Sequence, residues 1–426
     1  MRDDTRRWIE SDKAHCWHPF TRQAEWCAAD HQPLVLTHGE GAWLWDSEGR
    51  RYLDGNSSIW TNIHGHAHPA ITAAIRAQIE KSSHLSFLGF THPLAAVLAQ
   101  RLCGFFPPGT LERVFYSDDG STAIECALKM AVQFRMQTGE PQRTRFAAFA
   151  DGYHGDTLGA ASIGGVSRFF ERFRGHGYPV THVRSVAELG QLDPAELAGV
   201  VIEPLIQGVN GMRPWPPGML ADLRGWCDGT GVHLILDEVM TGFGRTGTMF
   251  ACQRENVTPD FLCLAKGLTG GTLPLAATLT TREVYSAFLG PAENAFYYGH
   301  SYTANPPGCA TALASLDVFR DERVLEQLPE KCQRLAAGLA RLGRHPLVHE
   351  TRQCGLVSGI ELRQPDGTEF PAARRMGESV CQAARTRGLL TRPILDTIVF
   401  MPPLCVTGDE IDFALDALLA GIPEAF

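Results

Sequence analysis

Asp237 and Lys266 are the residues of this chain whose types and placement could do chemistry together. Each follows a short apolar run: Val232–Leu236 is closed by Asp237, and Phe261–Ala265 delivers Lys266 to a glycine. Unbroken apolar runs of that length predict strands buried on both faces of a parallel sheet, where functional residues gather at the carboxyl edge. A lysine and a carboxylate placed there suit pyridoxal phosphate chemistry. The amine forms a Schiff base with the cofactor's aldehyde, and a carboxylate bonded to the ring nitrogen keeps it protonated, so that the ring accepts electrons. Each residue alone has a plainer use, since an Asp ending a strand usually caps a turn and a lone Lys is usually solvated. The rest of the chain has to choose.

Several segments bear on that choice. Ser117–Thr122 reads SDDGST between a predicted strand and a predicted helix over 121–137. Gly120, Ser121 and Thr122 would offer N–H groups and hydroxyls to an anion at a helix N-terminus, or simply cap it. Gly152–Thr157 (GYHGDT) follows another strand, so Tyr153 could stack on a flat cofactor or pack in a turn. Glu203 ends a third apolar run and is followed by Gln207-Gly208. Gly299–Asn305 (GHSYTAN) carries hydroxyls ahead of a helix, fit to complete a phosphate site in its own subunit or in a neighbour's. Arg392, in Leu390–Pro393, has the planar fork that pairs with a carboxylate, although a surface arginine is the default. Gly242–Gly247 fits G-x-G-x-x-G, with Asp260 beyond it, and must be weighed as a dinucleotide fingerprint. Its context is wrong. Glu238–Thr241 separates the glycines from the strand, and too few residues precede Pro259 to form a crossover helix.

The elements that must position these residues alternate. From Val114 onward, VFYS, FAAFA, VVIEP, VHLILD, FLCLAK and AAT read as strands, with helices at 121–137 and 219–229, a pattern of a mainly parallel sheet covered on both faces. Upstream, GAWLWD and RYLD predict an antiparallel hairpin, and Pro69 and Pro93 each open a helix. Beyond Asn305 the texture becomes α+β: helices at 307–321, 324–342, 371–387 and 408–420, with strands near 346–351, 356–362 and 397–401. The expected division is 1–64 and 306–426 in a smaller α+β domain built from both chain ends, around a large domain at 65–305.

Composition sets the outer limits. The chain has 426 residues, 44% of them hydrophobic, enough for a large core. A formal net charge of -9 argues against nucleic-acid or anionic-membrane partners. No apolar run approaches a bilayer span, and MRDDTRRWIESDK does not read as a signal peptide. Twelve cysteines without a C-x-x-C pair read as reduced thiols, with no metal site, which implies a cytoplasmic protein.

With these residues in hand, the chain resembles the class III, fold-type I pyridoxal-phosphate aminotransferases over nearly its whole length. DEVMTGFGRTG followed by AKGLTGG carries the resemblance most specifically. WHPFT, NSSIWTNIHGHAHP, RVFYSDDGSTAIECALKMA, GYHGDTLGA, GHSYTANP, LTRP and FMPP look like the branch that aminates 8-amino-7-oxononanoate in biotin synthesis. The resemblance implies an α/β fold with a mainly parallel seven-stranded sheet, and pyridoxal 5'-phosphate as cofactor. It implies that Lys266 carries the cofactor and moves the proton, that Asp237 pairs with the pyridinium nitrogen, and that Val239 packs on the ring. By the same resemblance Gly120 and Ser121 bind phosphate, joined by His300 and Ser301 of a partner subunit in a homodimer with sites at the interface. Tyr153 stacks on the ring, and Phe20, Trp60, Gly299 and Arg392 line the substrate site, Arg392 holding the acceptor's far carboxylate. Well-known members have a tyrosine where this chain has Phe20 and a tryptophan pair where it has Ile59-Trp60. The implied donor is S-adenosyl-L-methionine, with L-lysine as the alternative those two departures keep open.

Overall fold

The computed structural model describes residues 1–173 and 175–426. Its central sheet has seven strands: β1 (Leu111–Ser117), β2 (Arg145–Phe149), β3 (Val180–Val183), β4 (Leu197–Ile202), β5 (His233–Asp237), β6 (Phe261–Leu264) and β7 (Ala276–Thr281). They lie in the order β1-β7-β6-β5-β4-β2-β3, and β7 runs against both its neighbours while the remaining pairings are parallel. Every residue of β4, β5 and β6 is buried. Strands enclosed on both faces cannot alternate polar with apolar, which is why they read as continuous apolar runs. The helix Gly120–Gln137 covers β6 and β7 with Ala123, Ile124, Ala127, Met130, Ala131 and Phe134.

Register decides what meets at the carboxyl edge. Leu236 pairs with Ile202 on one side and with Leu262 on the other, so Glu203, Asp237 and Cys263 fall in one row.

The two ends of the chain meet beside this sheet. Strand Arg51–Asp54, antiparallel to Trp43–Asp46 as the hairpin reading expects, pairs in parallel with Leu389–Leu390. A second antiparallel sheet joins Val348–Cys354, Val357–Leu362, Thr397–Phe400 and Pro393–Ile394. The N–H of Gly55 donates to Leu390 O at 2.8 Å, and that of Met401 to Gly55 O at 2.8 Å.

One expectation needs correction, and two elements were not foreseen. The helix predicted over 371–387 is a short 3-10 turn, Ala372–Arg374, and then a helix, Met376–Thr386, separated by Arg375 at φ +46°. The helix Asp3–His15 escapes pattern reading because only Thr5 and Ile9 are buried along it. The edge strand β3 escapes because only Val183 of its four residues is buried, and four residues give little periodicity. Among the described residues all cysteines are free, and no helix is long and apolar enough to cross a membrane.

Candidate active site

The floor of the site is the row of strand ends. Asp237, at the end of β5, is 5% exposed. Its Oδ2 lies 2.8 Å from His154 Nδ1, and its Oδ1 accepts the N–H of Val239 at 3.1 Å. Burial alone would lower the His154 pKa, but the Asp237 carboxylate outweighs it and the imidazole is held above its ordinary value. Glu203 lies behind the pair. Its Oε1 accepts the N–H of Gly208 at 2.9 Å and its Oε2 that of Tyr153 at 3.1 Å. Burial pushes Glu203 up to about 7, against the opposing pull of His154.

Lys266 leaves β6 through an extended Ala265 and turns at φ +45°, a left-handed conformation that costs an L-residue roughly 1–2 kcal/mol. Packing holds it there. A Cβ on Gly267 would stand 2.9 Å from the Cβ of Phe243, and the N–H of Gly271 returns to Lys266 O at 3.1 Å. The amine faces the indole of Trp60, 5.2 Å from the ring centroid. Burial lowers its pKa below the ordinary lysine value, Asp237 and Glu203 pull back up, and Arg245 adds to the lowering. A lysine less protonated than usual, beside a carboxylate, is a nucleophile and a proton carrier.

An anion cradle lies at the start of the helix Gly120–Gln137. Asp119 caps it by accepting the Thr122 N–H at 2.9 Å, and the Thr122 hydroxyl returns to the cap. That leaves the first two amides, those of Gly120 and Ser121, uncommitted at the positive end of the dipole. A Cβ on Gly120 would meet Val239 at 2.6 Å, so only glycine lets this amide approach the floor. The Ser121 hydroxyl accepts the N–H of Asp156 at 3.0 Å. His300 Nε2 stands 3.5 Å from Asp118 Oδ1 of the same chain, buried and without a hydrogen bond among the described residues. Two open amides, a half-buried amine and a carboxylate on one edge fit the phosphate, aldehyde and ring nitrogen of pyridoxal phosphate.

The remaining predicted residues spread outward. Tyr153 donates its hydroxyl to Asp156 Oδ2 at 2.7 Å, and its ring meets Phe169 edge-on at 5.6 Å. Phe169 in turn meets Phe20 at 5.6 Å, so Phe20, 65% exposed, joins the site through an aromatic chain. Trp60 packs against the same small apolar cluster as Ile394, which brings the Arg392 segment to this side. Arg392 and Gly299 are exposed, and no ion pair engages the Arg392 guanidinium among the described residues. Ser301 is exposed as well.

Sequence reasoning missed His154 and Phe169. His154 had one signal, its place next to Tyr153, and Phe169 had none. The glycine loop Gly242–Gly247 holds a fully buried Arg245 that donates to Pro402 O and to Asn62 O, each at 2.5 Å. Asp260 is spent on the Leu234 N–H at 2.7 Å and on Arg224 at 2.9 Å. This loop is a clamp between chain segments and does not form a dinucleotide site.

Comparisons with known proteins place the chain in a family. Residues 26–422 match the family described as aminotransferase class-III. A Geobacter sulfurreducens protein named adenosylmethionine-8-amino-7-oxononanoate aminotransferase is 45% identical, with 97% of each chain covered. The crystal structure of the protein of that name from Methanocaldococcus jannaschii superposes with a TM-score of 0.96 at 38% identity, covering 99% of both chains. An amine transaminase from an uncultivated Pseudomonas species, solved in a pyridoxal-phosphate-bound form, gives a TM-score of 0.89 at 32% identity over 96% of this chain and 98% of that one.

Proposed function

The chain belongs to the class-III aminotransferases, enzymes that depend on pyridoxal phosphate, and from that premise we propose that it transaminates 8-amino-7-oxononanoate to 7,8-diaminononanoate, a step of biotin synthesis. The observation that carries the reading is the half-buried Lys266, its amine lowered in pKa by burial and drawn back up by Asp237, together with a helix start that has two free amides. When bound, the cofactor supplies an aldehyde that takes up the amino group and a ring that withdraws electrons from the substrate's Cα.

The chain's own residues do the rest. Gly120 and Ser121 bind the phosphate through their N–H groups, and His300 and Ser301 of a partner subunit add to that end. Asp237, steadied by His154, holds the proton on the ring nitrogen. Lys266 Nζ carries a proton to and from the substrate's Cα, and its lowered pKa keeps it able to accept one. Tyr153 and Val239 enclose the ring. Trp60, Gly299 and Phe20 form the substrate wall, and the uncommitted Arg392 pairs with the acceptor's distant carboxylate. The exposed large apolar side chains of Phe20, Leu88, Phe90 and Tyr297 support a homodimer, and the reading places both sites at its interface. Residues 65–305 then act as the cofactor-binding unit and the two chain ends as the smaller one, in a cytoplasmic enzyme.

S-adenosyl-L-methionine is the donor this reading favours. Phe20 and Ile59, where relatives of the favoured type carry a tyrosine and a tryptophan, support L-lysine as a second reading. The likeness to the amine transaminase supports a broader ω-aminotransferase as a third. Single half-reactions decide among them. S-adenosyl-L-methionine should discharge the cofactor's visible band and 8-amino-7-oxononanoate should restore it from the aminated form. Discharge by lysine alone would reassign the donor, and failure of the keto acid to restore the band would overturn the acceptor.

A further inference from the structure

Ser57, Ser58, Ile59 and Trp60 have φ of +46°, +47°, +69° and +65°: four consecutive L-residues, none a glycine, in the left-handed region. The backbone closes a left-handed turn, with the N–H of Trp60 donating to Asn56 O at 2.8 Å and that of Thr61 to Ser57 O at 2.9 Å. Single residues visit this region; runs do not, and a β-branched residue such as Ile59 is the most strained of all. Something must hold the turn, and the structure shows what does.

Asp54, 1% exposed, is bonded through both carboxylate oxygens. Oδ1 accepts the N–H groups of Ser58 at 3.1 Å and Asn56 at 3.3 Å. Oδ2 accepts the Ser58 hydroxyl at 3.0 Å and lies 2.9 Å from His66 Nε2. The far side of the turn is tied by Ser57, whose hydroxyl donates to Met401 O at 2.6 Å, and Trp60 Nε1 donates to Asn56 Oδ1 at 2.9 Å. The product of this bracing is the place of one ring. The indole of Trp60 sits over the Lys266 amine, with its edge where a Cβ on Gly208 would be 3.2 Å away. The exit of the turn lies directly on the lysine loop, since a Cβ on Gly271 would stand 2.4 Å from the carbonyl of Thr61, and Ile63 N–H donates to Gly270 O at 3.1 Å.

We propose that Asp54 is a positioning residue for the reaction: by holding the left-handed turn Ser57–Trp60 it fixes the indole of Trp60 against the Lys266 amine, and through that ring it seats the acceptor. The kinetic part of this inference rests on the acceptor proposed above, whereas the contact between ring and amine does not.

A double-variant cycle of Asp54→Asn and Trp60→Ala, read in two ways, tests it. In cofactor-free protein, brief acetylation followed by peptide mass spectrometry gives the labelling of Lys266 relative to exposed Lys81. Each single variant should raise that ratio about fivefold by uncovering the amine, and the double variant should go no further than either, because residues acting through one contact do not add. In the loaded enzyme, Asp54→Asn should raise KM for 8-amino-7-oxononanoate about tenfold with kcat within about threefold, and that penalty should shrink below about twofold in the Trp60→Ala background. Should Asp54→Asn fail to fold, Ile59→Pro carries the same expectations, since proline cannot adopt φ +69° and the carboxylate stays in place. Unchanged labelling of Lys266, or effects that multiply in the double variant, would overturn the proposal. If wild-type enzyme does not turn over this keto acid, the acceptor assignment has failed, and the labelling cycle still decides the role of Asp54.

Discussion

On its floor the site is made of strand ends, and on the facing wall of a turn that L-residues resist. Asp237 and Glu203 reach their places because β4, β5 and β6 are buried and in parallel register; of the functional residues at those strand ends only Lys266 is left-handed. Ser57–Trp60 reaches its place against a backbone cost of roughly 1–2 kcal/mol for each residue, met by the bonds of Asp54, His66 and Met401. The floor is cheap and fixed by sheet geometry, which suits groups that must stay put through every turnover. The wall is costly and depends on a few side-chain bonds, which suits a surface that can differ between relatives handling different substrates. Floor variants should therefore act on kcat, and wall variants on KM.

The largest effect expected is that of Lys266→Ala, which removes both the covalent anchor and the proton carrier. It should abolish the visible band and cut turnover by about 10⁴-fold, the upper end of what a positioned acid–base contributes. Activity within tenfold of wild type would erase the distinction between floor and wall. Asp237→Asn should keep the cofactor bound and lower kcat about a hundredfold or more with KM little changed, measured by stopped-flow half-reactions. A rise in KM alone would move Asp237 to the binding wall. Arg392→Ala should raise KM for the keto acid about tenfold and leave the donor half-reaction within about twofold, as loss of a charge-assisted pair predicts. Equal damage to both halves would count against a carboxylate clamp.

The smallest effect is on stability. Burial raises Glu203 from an ordinary value of 4.5 to about 7, so between those pH values the folded protein binds a proton that the unfolded chain has lost. Stability must then fall as pH rises through that window. Glu238, also pushed up to about 7 by burial, adds a slope of the same sign. Glu203→Gln should flatten the decline in melting temperature of cofactor-free protein between pH 4.5 and 7 by a few degrees without removing it. An unaltered slope would mean that Glu203 titrates alike in both states.

The contrast between floor and wall also explains what could be read from the sequence. VHLILD and FLCLAK announce themselves because burial on both faces forces continuous apolar runs, and the functional residue then follows at the strand end. Gly120 was legible for a related reason, since SDDGST joins a strand to a helix. The wall gave no such sign. Nothing in SSIW marks a left-handed turn, since its residues are not the glycine or asparagine that favour one and Asn56 before it stays at φ -130°; the cause lies in Asp54 just upstream, with His66 and Met401 arriving from further along the chain. His154 and Phe169 went unread for the same reason, since each has its meaning only through a tertiary contact, with Asp237 and with Tyr153. The chain ends were seen as α+β, but pairing of Arg51–Asp54 with Leu389–Leu390 spans most of the chain and leaves no local pattern.

One measurement bears on the central claim directly. The protein is saturated with pyridoxal phosphate, reduced with borohydride, digested and mapped by peptide mass. The added cofactor mass is expected on Lys266 and should be absent from that position in Lys266→Ala. Cofactor mass on a different lysine, or none on any peptide, would contradict it.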